Sequence, residues 1–230
     1  MRRGVVLAAV VALVVISGCM GSPGEESAEY DWETPDGVDV YYDLNSNNYT
    51  AVIDVSNVEG ETLELSQEDS FGGRIPVRAT TVRFRYPNST VINASVETES
   101  EKAVVDLPSN TGKLAYTSPM RSNSFAREVP VPIDGDVVVV LPEGKDARNR
   151  ILGGISPSGY EVVSESPLTL RWDVKGLEEG DTVDISFYDR GNSRLLLYLV
   201  GGLIAGAVGV LIYFRQRLID LREKRKKYEY

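Results

Sequence analysis

Twenty consecutive residues, Leu195 to Phe214, carry no charge, and no other stretch limits the fold of this chain so strongly. As an α-helix rising 1.5 Å per residue, the stretch reaches about 30 Å, the thickness of a bilayer's hydrocarbon core. Arg194 and Arg215 bracket it, and Tyr198 and Tyr213 stand near the two expected interfaces, where amphipathic rings settle. Beyond Phe214 come seven Lys/Arg (Arg215, Arg217, Arg222, Lys224, Arg225, Lys226 and Lys227) against three acids. The excess of positive charge predicts that the tail, residues 215–230, is cytoplasmic and that the preceding domain lies outside. Within the span, Gly202 and Gly206 form a GxxxG flanked by Gly201, Ala205 and Gly209. Such spacing lets helices approach closely and would support a homodimer. The plainer reading is that small residues are common in membrane helices.

The other end of the chain gives a second, independent indication. Met1-Arg2-Arg3 is followed by an apolar run from Gly4 to Ile16, then Ser17-Gly18-Cys19. A basic start, a short apolar run and small residues before a cut point make a secretory signal over residues 1–18. Ile16-Ser17-Gly18-Cys19 resembles the lipobox of lipoproteins, in which cleavage precedes the cysteine and its thiol takes lipid. Cys19 is the one cysteine in the chain and is the expected lipidation site. The alternatives are an incidental cysteine behind an ordinary signal or an uncleaved anchor. Arg2-Arg3 also fits a twin-arginine signal, although two arginines are common in short basic leaders. Residues 19–37, rich in Gly, Pro, Ser and acids, read as a flexible acidic tether.

The region between the anchors is strongly acidic. Gly21 to Arg190 holds 31 acids against 14 bases, a net charge of −17, and only four of the bases are lysine. Net charge of this size keeps a protein soluble but strains the folded state by self-repulsion, which salt screens. An acid-rich, lysine-poor surface predicts adaptation to high salt; a surface for a basic partner or for cations is the alternative. Nucleic acid is an unsuitable partner, because its phosphates would be repelled.

From Val38 the pattern is that of strands. Val82, Phe84 and Tyr86 alternate with Arg83 and Arg85, and Leu168, Leu170 and Trp172 alternate with Thr169 and Arg171. Val183, Ile185 and Phe187 do the same. A period of two means one buried and one wetted face, as in an antiparallel sheet. Val137 to Leu141 is a continuous apolar run closed by Pro142, as expected for a central strand covered on both faces. More strands are predicted near 38–42, 49–55, 62–65, 91–96, 103–107, 113–117 and 160–164, separated by turn residues such as Asn45-Ser46-Asn47-Asn48 and Gly72-Gly73. Many short strands without helical stretches predict an all-β extracellular domain over 38–190, an antiparallel β-sandwich, joined to one C-terminal transmembrane helix at 195–214. A polar stretch near 108–124 leaves open whether there are one or two sandwich subdomains. Lys145 to Ile151 has room for a short helical turn before Gly153-Gly154.

The residues leave little room for catalysis. With no histidine, Ser-His-Asp and Cys-His chemistry and histidine metal sites are excluded. With Cys19 alone, so are a Cys-based zinc site and any disulfide within the chain. Gly154-Ile155-Ser156-Pro157-Ser158 resembles a nucleophile elbow only faintly, since serine ends it and no base is present. Carboxylate pairs suited to glycoside cleavage arise by chance among so many acids, so none is singled out. No catalytic residue and no cofactor is therefore expected. Asp43, Asn45 and Asn47 have the D-x-N-x-N spacing of half a calcium loop, with Asp54 at the twelfth position. Asn48 stands where that loop needs glycine, however, and a polar hairpin loop is the preferred reading. Three sequons begin at Asn48, Asn88 and Asn93, where composition alone gives about one, and export would allow glycans there.

Several of these segments together are similar to uncharacterised lipobox proteins of haloarchaea that carry a domain of unknown function. The matching parts are Ile16–Cys19, DVVVVLPEG at Asp136–Gly144, NRILGGISPSGY at Asn149–Tyr160, Trp172, and Phe187-Tyr188 ahead of the span. The resemblance implies a topology and a habitat, not an activity. The expected role is a non-enzymatic envelope protein that binds or organises a surface component. The alternative is an accessory or sensor subunit of a membrane complex, acting through its span and basic tail.

Overall fold

The computed structural model describes residues 29–228 apart from 57, 59, 70, 122, 131–134 and 174–180, and in 192–197 and 220–228 it describes the backbone only. The expected signal at 1–18, Cys19 and the first part of the tether lie outside the described residues. The chain divides into two units, Met1–Asp31 and Trp32–Tyr230; the second holds all the regular structure described below.

The strands, in chain order, are β1 (Val38–Leu44), β2 (Asn48–Asp54), β3 (Thr62–Glu68), β4 (Arg74–Pro76), β5 (Thr80–Arg85), β6 (Val91–Asn93), β7 (Val96–Thr98), β8 (Ala103–Asp106) and β9 (Lys113–Pro119). They continue with β10 (Ser124–Glu128), β11 (Asp136–Val140), β12 (Lys145–Asp146), β13 (Gly154–Ser156), β14 (Glu161–Glu165), β15 (Leu168–Trp172), β16 (Thr182–Ser186) and β17 (Tyr188–Asp189). A single long helix, α1 (Arg190–Tyr228), follows. The protein is thus mostly β-sheet with one C-terminal apolar helix, as the alternation of residues predicts.

Eight strands form the large sheet in the order β14-β15-β11-β1-β2-β9-β5-β6. β4-β3-β8-β7 form a second sheet and β10-β16-β13 a third. The Ser66 hydroxyl donates to the Glu128 carboxylate, and Arg74 pairs with the same group at 2.5 Å, tying β3 and β4 to β10. One apolar core joins the three sheets. It takes Val40, Tyr42, Ile53, Phe84, Val139, Leu170 and Trp172 from the large sheet, Leu63 and Val105 from the second, and Phe125 and Ile185 from the third.

β11 occupies the central position that its apolar run predicts. Val137 and Val139 enter the core, and Val138 on the opposite face is only 3 % exposed. Val52 and Ala115, cross-strand neighbours on that outer face, are also buried. Lys113 holds residues 32–34 along this side, its Nζ donating to the Trp32 carbonyl at 2.9 Å and to Thr34 Oγ1 at 2.7 Å.

Two details differ from the sequence reading. The sheet is not wholly antiparallel, because β1 and β11 pair in parallel. Tight hairpins enforce antiparallel neighbours, but the entire second sheet intervenes between these two strands, and so long a crossover leaves their relative direction free. The polar stretch 108–124 contains the strand expected at 113–117, β9, which pairs with β2 along its whole length and with β5 on its other edge. The turn expected at Lys145–Ile151 falls later: Lys145-Asp146 is a strand, and the Leu152 and Gly153 N–H groups close a turn on the Asn149 carbonyl.

The inside and outside of the sandwich give a direct test. Ile53 is fully buried at mid-sheet, and Val163 on edge strand β14 is 56 % exposed. Ile53→Ala is expected to destabilise the fold by about 2–5 kcal/mol, through lost transfer energy plus a cavity. Val163→Ala is expected to stay within about 0.5 kcal/mol of wild type. Denaturant melts of the two variants in one buffer measure both.

Candidate functional site

Two places concentrate polar side chains in ways that demand explanation. The first is the junction of the β domain with α1. Phe187 follows β16 with its side chain buried, and three residues later the helix begins. No connecting loop is left between them. β17 is held by β12, with Lys145 opposite Asp189 and Asp146 opposite Tyr188. The Arg190 N–H, at the first helical position, donates to the Gly144 carbonyl at 3.0 Å.

Asp146, only 7 % exposed, is the hub of this junction. Its Oδ2 accepts from Arg148 Nη2 at 2.8 Å and from Arg190 Nε at 3.2 Å, and its Oδ1 accepts the Arg148 N–H at 3.0 Å. Glu165 on β14 extends the cluster, accepting from Arg148 Nη1 at 2.7 Å through its carboxylate and from Arg190 Nη2 at 2.7 Å through its carbonyl. Lys145 and Asp189 add an ion pair at 2.8 Å. The loop returning from Arg148 to β13 must pass close by. A Cβ on Gly153 would lie 2.5 Å from the Ser186 carbonyl oxygen and 2.9 Å from that of Ala147, so glycine is required there. The hydrogen bonds from Arg148 hold the Asp146 carboxyl well below the usual carboxylate range.

The second place is a cleft of about 510 Å³ lined by Gln67, Glu68, Arg78, Arg121, Arg127 and Asp184 among others. Of these, Arg127 packs on an aromatic cluster. Tyr42 and Tyr49 from the large sheet meet Phe125 of β10 edge-on at 5.0 and 5.3 Å between ring centroids, and Tyr116 stands 6.0 Å from Tyr49. Such edge-to-face contacts add to the burial of the rings themselves. Burial pushes the Tyr42 and Tyr116 hydroxyls well above the ordinary phenol range. Arg127, 7 % exposed, lies over the Tyr49 ring at 4.7 Å and the Phe125 ring at 5.5 Å. Its Nε donates to the Tyr49 hydroxyl at 2.6 Å, Nη1 to the Ala126 carbonyl at 2.6 Å and Nη2 to the Pro119 carbonyl at 3.4 Å. Also lining the cleft, Glu68 Oε1 accepts from the Thr182 hydroxyl at 3.2 Å, and burial with Glu68 nearby raises the carboxyl of Asp184, the cross-strand neighbour of Ala126.

The residues singled out from sequence are dispersed. Asn45 and Asn48 close a two-residue hairpin, the Asn45 N–H donating to the Asn48 carbonyl at 2.8 Å, and Asn47 gives its carbonyl to the Met120 N–H at 2.8 Å. Asp43 precedes that turn on the wetted side of β1, and Asp54 lies at the far end of β2. Among the described residues no three Asp, Glu or Cys side chains gather as a metal site. Asn48 starts β2 and Asn93 ends β6, the edge of the large sheet; both are exposed. Asn88 is exposed in the β5–β6 turn, its Oδ1 accepting the Thr90 N–H at 3.0 Å. Gly154–Ser156 is an extended strand paired with β16, not the strand-turn-helix of a nucleophile elbow. Gly202 and Gly206 lie on α1 with open space where a Cβ would stand. The apolar part of the helix runs over Tyr198–Ile219, 22 residues, long enough to cross a membrane and with none of it buried. Cys19 lies outside the described residues.

Neither the hub nor the buried guanidinium was singled out in the sequence. For Arg127 a signal was available: Phe125 and Arg127 alternate along β10, Val129 follows at the same period, and all three are buried, so a charge occupies an inward register position. Asp146 carried none, because Arg190 and Glu165, which complete its cluster, lie far from it in the chain.

The junction generates a pH-dependent expectation. A carboxyl with a depressed folded value contributes stability in full above its unfolded value near 4, and that contribution is lost as the pH falls below this. Asp146→Asn, which removes the carboxylate charge that Arg148 and Arg190 share, is expected to cost about 1–3 kcal/mol at pH 7. The deficit relative to wild type should shrink as the pH is lowered through 4. Thermal melts of both proteins across pH 3–7 provide the measurement, and a deficit that stays constant with pH would count against the ion-pair account.

No curated protein matches the chain. The model of a family of unknown function, DUF5803, matches residues 36–230, which covers every strand, the junction and the helix. The chain therefore belongs to this family of unknown function.

Proposed function

We propose that this protein is a membrane-anchored, non-enzymatic binding module of the cell envelope, its β domain outside, its helix crossing the membrane and its basic tail in the cytoplasm. The observation that carries this reading is the junction. An apolar 22-residue stretch begins eight residues after the helix starts, and the helix starts on the β domain itself, clamped by Asp146 and Glu165. A cargo or enzyme domain needs no such fixed stance, whereas a domain that presents one face beside a membrane does. The positive tail and the leader ending at Cys19 support the orientation. The lack of histidine and the single cysteine support a binding role over a catalytic one. The strongly acidic surface supports a saline setting, in which screening relieves self-repulsion.

A second reading, an accessory or sensor subunit of a membrane complex, draws on the open small-residue face at Gly202 and Gly206. Purification in mild detergent separates the two, since a stoichiometric membrane partner favours the subunit role.

Protease treatment of intact cells, followed by intact mass of the membrane-extracted chain, tests the main proposal. The expected result is digestion of the β domain, survival of a fragment containing the span and 215–230, and an untreated chain that begins at lipid-bearing Cys19. Digestion of the tail with the domain left intact would invert the topology. A chain beginning at Met1 would remove the lipid anchor.

A further inference from the structure

The Arg127 cleft has the features of a ligand site. A guanidinium taken out of water is costly unless an opposite charge or a full set of acceptors replaces its hydration. Arg127 is 7 % exposed, yet its three acceptors (the Tyr49 hydroxyl and the Ala126 and Pro119 carbonyls) are neutral. Among the described residues no carboxylate pairs with it. Of five N–H donors on an arginine, three are used. The Tyr49 ring 4.7 Å beneath the guanidinium and the three bonds fix its position, so the remaining donors are held ready rather than mobile. They belong to a side chain that lines a cleft of about 510 Å³, within the range of small-molecule sites.

We propose that this cleft binds a small molecule through a single carboxylate, received by Arg127. The planar fork of arginine matches the two oxygens of a carboxylate. Arg78 and Arg121, which also line the cleft, add attraction for an anion. Glu68, Asp69 and Asp184, which also line the cleft, restrict the ligand's charge: a phosphate would meet more repulsion from these acids than a single carboxylate does. The proposal deepens the reading of the domain as a binding module but does not depend on which side of the membrane it faces. The topology experiment and the one below therefore fail separately.

The test is a saturation-transfer NMR titration of the detergent-extracted full chain with propionate, at constant chloride and ionic strength, with inorganic phosphate as the competing probe. Saturable propionate binding is expected, with phosphate weaker. Arg127→Lys keeps the charge but loses the fork, and should weaken binding about tenfold or more. Glu68→Gln removes a repelling charge and should tighten binding about threefold; such a gain cannot come from misfolding. No saturable binding, phosphate tighter than propionate, unchanged affinity in Arg127→Lys, or unchanged or weaker affinity in Glu68→Gln would each overturn the proposal.

Discussion

The attachment of a long helix to a β-sandwich without a linker rests on one buried carboxylate. Asp146 belongs to a two-residue strand that would have little stability alone. It pairs with β17, which is equally short, and its side chain takes the first residue of α1 and Arg148 together. The position of the charge matters as much as its partners. The exposed N–H groups of a helix start carry a partial positive charge, which nearby anions stabilise. The first turn of α1 contains no acid, so Asp146 and Glu165 from other strands supply what the helix itself lacks. With Phe187 buried on one side and the Arg190 N–H bonded to Gly144 on the other, the chain passes from strand to helix without a free residue between.

The rest of the fold serves this arrangement and the cleft at once. β16, the strand leading to the junction, is covered by β10 and β13. β10 places Phe125 against the tyrosines of the large sheet and, two residues on, Arg127 over Tyr49. The same strand that shields the route to the membrane thus carries the buried guanidinium. On the functional reading proposed here, a ligand in the cleft would rest on elements fixed with respect to the bilayer.

Much of the fold was legible because period two is a strong signal where one face is dry. Val82–Tyr86, Leu168–Trp172 and Val183–Phe187 become β5, β15 and β16, and the unbroken apolar run at Val137–Leu141 becomes β11 at mid-sheet. The strands that escaped notice, β4, β10, β12, β13 and β17, are short or carry polar residues on the inner face. The parallel pairing of β1 with β11 is a tertiary choice that no local pattern encodes. The candidate site was far less legible. Asp146, Arg148, Glu165 and Arg190 meet only because β12, β14 and β17 converge. By contrast, Asp43, Asn45 and Asn47 form a motif by spacing and, in the structure, belong to a hairpin whose turn is closed by main-chain bonds.

Amide hydrogen exchange of the full chain in lipid bilayers tests the direct union of domain and helix. The two-sided clamp predicts that the Tyr188 and Arg190 amides exchange slowly, on the scale of the β11 amides at mid-sheet. Exchange at Tyr188 and Arg190 as fast as at Phe71 and Gly72, on the exposed β3–β4 turn, while β11 stays protected, would show a free hinge and contradict it.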